Sequence, residues 1–94
     1  MDLEELRKSI NECDREILSL IKRRQDISHS VAEVKYKLGM QILDEAQRHK
    51  VIDHAVSLAR EYSLDENSIS YIFDQLIKMS EDVQKRWITD AKSK

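Results

Sequence analysis

Arg24 stands where its neighbours call for an apolar side chain. Leu3, Leu6, Ile10, Cys13, Ile17 and Leu20 precede it and Ile27, Val31, Val34 and Leu38 follow, in the alternation of three and four that draws one stripe along a helix. The last third of the chain repeats the pattern with Ile69, Phe73, Leu76, Val83 and Trp87, and there the missing apolar beat is Ser80, with Gln84 one turn further on. A guanidinium turned toward a core is costly unless an anion or a polar group meets it. Ser28 and Lys35 flank the stripe beside Arg24, and Arg7 lies on the same flank. Arg24 and Lys35 are about 16 Å apart along a helix axis, a gap that two long side chains can close on one small dianion. Ser80 and Gln84, both neutral, suit carboxylate and ether oxygens that need hydrogen bonds without added charge. Arg7 is about 26 Å from Arg24 along the axis, too far to share a small ligand within one chain. Any contribution it makes must come from another subunit.

Each of these residues also has a plainer explanation. Arg24 can fix helix register against a carboxylate, with Asp14 on the same flank; Lys35 can be solvated beside Val34. Ser80 can bond back to its own helix, and Gln84 can lie at the surface. Their joint occurrence favours a site, because independent accidents would not set cations on one helix against an amide and a hydroxyl on another.

The elements that must carry these groups are helices. Proline is absent, glycine occurs once and 36% of the 94 residues are charged, which leaves little material for hairpins or strands. The fold class is all-α, a single domain over residues 1–94 with three helices. Gly39 ends the first, over about 3–38, as a left-handed cap. Asp44-Glu45-Ala46-Gln47 has the form of a helix start and opens the second, over about 44–62; Ser63-Leu64-Asp65-Glu66 opens the third, over about 65–90. Short connections predict roughly antiparallel neighbours. Cys13, the one cysteine, excludes an internal disulfide and reads as a small core residue of the stripe.

Charge and motifs narrow the function. Sixteen basic side chains are interspersed with 18 acidic ones, so neither nucleic acid nor an anionic membrane is expected as a partner. No apolar run approaches a membrane span and no leader pattern opens the chain, so the expectation is a soluble, cytoplasmic protein. His29, His49 and His54 are scattered, and neither a phosphate loop nor a nucleophile elbow nor a Cys-His pairing occurs, so no metal or other cofactor is expected. A first helix on the order of 50 Å long also exceeds what a compact chain of this size can cover, its radius of gyration being about 13 Å. The economical solution is an intertwined homodimer in which the long helices exchange coverage.

The stretches Leu6-Arg7-Lys8-Ser9-Ile10 with Asp14, Ile21-Lys22-Arg23-Arg24, Val31-Ala32-Glu33-Val34-Lys35 and Ser80-Glu81-Asp82-Val83-Gln84 together resemble the all-helical class of chorismate mutase, over nearly the whole chain. The resemblance implies an interlocked dimer with two equivalent sites, each completed by an arginine of the partner. It also implies the Claisen rearrangement of chorismate to prephenate, in phenylalanine and tyrosine biosynthesis, without a cofactor. By similarity, Arg24 and Ser80 would hold the ring carboxylate, and Lys35 with Arg7 from the other subunit the pyruvyl carboxylate. Lys35 and Gln84 would donate to the ether oxygen.

The start of the second helix departs from the family. There an aspartate is usually followed, three and four residues on, by arginine and a glutamate that receives the ring hydroxyl; here Asp44 is followed by Gln47 and Arg48. Either Arg48 replaces that glutamate, or a one-residue slip gives Arg48 and His49 the two positions. Asp44 is also fully explained as a helix cap. On the ungapped match, Arg48→Glu is expected to keep the fold and improve turnover. Two other functions stay open: an isochorismate pyruvate-lyase on the same scaffold, and a non-catalytic helical dimerisation or regulatory module.

Overall fold

The computed structural model describes all 94 residues as three helices: α1 (Leu3–Leu38), α2 (Glu45–Glu61) and α3 (Glu66–Lys92). Each start is capped by an aspartate. Asp2, Asp44 and Asp65 accept the backbone N–H of Glu5, Gln47 and Ser68 at 2.8, 3.1 and 2.8 Å, satisfying donors that the first helical turn leaves without partners. The Ser68 hydroxyl and backbone N–H together hold the Asp65 carboxyl below its ordinary value of 3.8. A lowered carboxyl favours the folded chain above pH 3.8, and that contribution disappears as the pH falls through the folded value.

α1 and α2 end in left-handed residues. Gly39 has φ 68°, and the Met40 N–H donates to the Lys35 carbonyl at 2.8 Å. Ser63 adopts φ 56° after α2, where the Leu64 N–H donates to the Ala59 carbonyl at 2.8 Å. The two turns are alike in hydrogen bonding, but only one carries the residue that is free of strain there.

α3 is the scaffold. It packs against both other helices, whereas α1 and α2 make no packing contact with each other. The Arg24–Leu76 and Ser28–Ser80 hydrogen bonds and the Tyr36–Trp87 ring contact rise together along α1 and α3, so those two helices run parallel. Arg60 pairs with Glu66 and Arg48 with Asp74, so α2 runs antiparallel to α3. Consecutive helices therefore run antiparallel as expected, α1 with α2 and α2 with α3, although α1 packs on α3 and not on α2. Alanines mark the close approaches: Ala32 on α1 and Ala55 and Ala59, one turn apart on α2, are buried with Ile77 and Val83 of α3.

Only seven of the 94 residues are buried, none of them aromatic, so this core is small even for so short a chain. The deficit sits in α1. Every residue from Leu3 to Leu20 is exposed, including Ile10, Ile17 and Leu20 of the stripe. Cys13 is exposed with them, not buried as the stripe led us to expect, because α3 covers only the second half of α1. The chain is accordingly elongated, 56 × 27 × 15 Å with a radius of gyration of 16.7 Å. No helix is long and apolar enough to cross a membrane.

Substitutions at the two left-handed positions should shift stability in opposite directions. A Cβ at Gly39 would meet nothing within 4 Å, so Gly39→Ala isolates backbone strain. It should lower stability by about 1–2 kcal/mol, while Ser63→Gly should raise it by about 1 kcal/mol or less, both read from thermal melts. Equal melts for all three proteins would refute the assignment of strain.

Candidate active site

A continuous face of α3 forms the floor of the site. Ile77, Ser80, Glu81 and Gln84 follow the spacing that puts side chains on one side of a helix, and all four line an open cavity of about 530 Å³. α1 supplies one wall through Arg24, Ile27, Ser28, Val31 and Lys35; α2 and the segment before it supply the other through Ile42, Asp44, Gln47, Arg48 and Val51. α1 and α2 pack on α3 and not on each other, so the space between them stays open, bridged by Lys35 reaching the segment before α2. Its volume falls in the usual range for small-molecule sites, roughly 300–1,000 Å³.

The α1 wall is cationic. Arg24, half-buried, donates from Nη1 to the Leu76 carbonyl at 3.4 Å, and no carboxylate pairs with it. Asp14 does not serve as its partner. Lys35 donates from Nζ to the Ile42 carbonyl at 2.8 Å, which ties the α1–α2 connection back onto α1, and it likewise has no anionic partner. One of the three ammonium hydrogens is thereby used and two remain. The lysine is half-buried and not simply solvated.

Between α1 and the floor runs a chain of neutral groups. The Ser28 hydroxyl, buried, donates to the Arg24 carbonyl at 2.9 Å and lies 2.6 Å from the Ser80 hydroxyl. The Ser28 hydrogen is then committed, so Ser80 donates to Ser28 and Gln84 Nε2 donates to Ser80 at 3.1 Å. Ser80 therefore does not bond back to its own helix, and Gln84 is buried rather than superficial. The Gln84 Oε1 atom is buried without a partner.

On the α2 side carboxylates outnumber cations. Arg48 is clamped between two carboxylates of α3, Nη2 on Asp74 and Nη1 on Glu81 at 3.4 Å. Asp44 lines the cavity while capping α2. The cavity thus gathers Arg24, Lys35, Asp44, Arg48, Ser80 and Gln84 from three separate stretches of sequence. Arg7 is not among them; it is exposed on the uncovered half of α1. The sequence reading missed Glu81, whose pairing with Arg48 spans 33 residues, and gave Ser28 no partner. Glu81 does lie one residue after Ser80 and three before Gln84, which was the available signal.

Two unneutralised cations on one wall, apolar side chains around them and hydrogen-bonding groups beneath make a receptor for a small dianion with additional oxygens. Such a site, on three helices of which one is very long, defines a class of helical protein that binds a compact dicarboxylate. The chain belongs to the chorismate mutase type II family, whose model matches residues 6–85. A chorismate mutase of Methanocaldococcus jannaschii is 36% identical over 92 residues, covering 98% of this chain and 93% of that protein. A bifunctional chorismate mutase/prephenate dehydratase of Buchnera aphidicola is 26% identical over 80 residues, 85% of this chain but 21% of that protein. Among solved structures, a conserved hypothetical protein from Pyrococcus furiosus superposes with a TM-score of 0.71 at 29% identity, over 87% of this chain and 93% of that one.

The clamp on Arg48 reverses the expectation for its replacement. Arg48→Glu would set a third carboxylate against Asp74 and Glu81, which are only partly exposed. We expect a loss of about 1–3 kcal/mol in stability and lower turnover. A variant with an unchanged melt and improved turnover would restore the earlier expectation.

Proposed function

We propose that the protein catalyses the rearrangement of chorismate to prephenate in a homodimer whose sites are each completed by Arg7 of the partner. The observation that carries this reading is the pair Arg24 and Lys35, two cations without carboxylate partners facing one cavity. The substrate brings two carboxylates and an enol ether, and its reaction forms one carbon–carbon bond as the ether carbon–oxygen bond breaks within the same molecule. No nucleophile or proton transfer is needed. What accelerates it is restriction to the folded conformer and stabilisation of the negative charge that grows on the ether oxygen.

In this reading Arg24 holds the ring carboxylate. Ser80 joins it by turning its hydroxyl hydrogen away from Ser28, which then donates to Ser80 in its place. Lys35 keeps the Ile42 carbonyl with one hydrogen and offers the others to the pyruvyl carboxylate and the ether oxygen. Gln84 uses the second hydrogen of its amide on the same oxygen. The uncovered apolar half of α1 supports the dimer, since pairing with a second copy removes it from water and brings a foreign Arg7 toward the open side of the cavity. A soluble enzyme of the cytoplasm is part of the same reading.

Three outcomes follow. Sedimentation at micromolar concentration should give about twice the chain mass; a stable, fully active monomer would remove the interlocked arrangement. Mixing inactive Arg7→Ala and Arg24→Ala chains should restore one intact site per heterodimer, because both defects then fall in the other site. No recovery after verified subunit exchange would place Arg7 outside the shared site. Lys35→Ala should lower turnover by about 10²- to 10³-fold and stability by about 1 kcal/mol, the latter through loss of the Ile42 bond. Parent protein that makes no prephenate from chorismate would overturn the activity itself.

A further inference from the structure

We infer that Glu81 receives the ring hydroxyl of the substrate and that Arg48 is the residue that positions it. The inference rests on the reaction proposed above, and its grounds are the division of charge across the cavity. Arg24 and Lys35 make the α1 wall cationic, so both substrate carboxylates settle there. The ring hydroxyl is the remaining polar group, and it needs an acceptor on the opposite side.

Few acceptors face that space. Asp44 caps α2 through Oδ1 and is solvent-exposed, so water competes for its other oxygen. Gln84 Oε1 is sealed from solvent, and the atom of that amide that reaches Ser80 is Nε2. Glu81 remains. It lines the cavity, its side chain is 17% exposed, and it points toward α2, as the contact with Arg48 shows. That contact is long at 3.4 Å and uses Oε1 alone, leaving Oε2 without a protein partner. A carboxylate held loosely by one oxygen retains the capacity to accept a hydroxyl hydrogen.

Arg48 is not available to do this work itself. It carries only donors, and Asp74 takes one end of its guanidinium. With Asp74 as the closer partner, Arg48 orients Glu81 without fully neutralising it. The same carboxylate repels the carboxylates of a substrate entering in the reverse orientation, so Glu81 selects both for the hydroxyl and against inverted binding.

The test compares chorismate with its analogue lacking the ring hydroxyl, using the intact protein. In the parent, chorismate should be preferred in kcat/KM by roughly 10- to 100-fold, the range for one hydrogen bond to a charged group. Glu81→Ala should abolish that preference, slowing chorismate far more than the analogue. Glu81→Gln, which keeps a carbonyl acceptor and nearly the same volume, should retain part of it. Arg48→Gln should reduce the preference too, and combined with Glu81→Ala should reduce it no further, since Arg48 acts through Glu81. Equal losses on both substrates, or an undiminished preference in folded Glu81→Ala or Glu81→Gln, would overturn the assignment while leaving the reaction standing. A parent that rearranges neither substrate would overturn the reaction and this assignment together.

Discussion

The contact between the Ser28 and Ser80 hydroxyls, at 2.6 Å, fixes what everything else depends on: the axial register of α1 against α3. Two parallel helices packed through alanine and short aliphatic groups can slide by a turn at modest cost in buried apolar area. This hydroxyl pair resists such a slip, which would break the bond between the helices and leave each hydroxyl only the partner on its own helix, the Arg24 carbonyl for Ser28 and the Gln84 amide for Ser80. One register therefore brings Arg24 level with Leu76 and leaves Lys35 a full two turns beyond Ser28, beside the connection to α2. The spacing of the two cations is a property of one helix, but their height above Ser80 and Gln84 is set by this contact.

From that register follows a separation of charge. The cations of α1 keep backbone carbonyls as their protein partners and so retain full charge toward the cavity. Arg48 across from them is compensated by two carboxylates. The cavity is thus positive along one side and net negative along the other, and a ligand that carries both anionic and neutral polar groups meets a field that orients it before any contact is made.

Much of this was legible in the sequence for physical reasons that stay within a single helix. The interrupted stripe exposed Arg24, Ser80 and Gln84, and the aspartates and Gly39 fixed the helix limits to within two residues, α3 alone running on to Lys92 beyond the expected end near 90. What stayed hidden depends on how helices meet. Glu81 reads as one more charge on a polar face until Arg48 is brought to it from 33 residues away. Cys13 reads as core because periodicity reports which face is apolar and not whether anything within the chain covers it. The missing α1–α2 contact could not be inferred from a short connection, since loop length limits how far apart two helix ends lie and says nothing of what fills the space between their shafts.

That missing contact separates two determinants of the cavity. With α1 and α2 both packed on α3 and not on each other, the width of the cavity is the difference between two separate attachments. The Ser28–Ser80 register sets the place of α1, whereas the buried Ala55 and Ala59 and the Arg48 and Arg60 ion pairs set that of α2. Across related chains, such an architecture lets the aperture be retuned by substitutions on one seam while the cationic wall stays as it is. Within one molecule the Lys35–Ile42 hydrogen bond is the link that ties the α2 side back to the cationic wall.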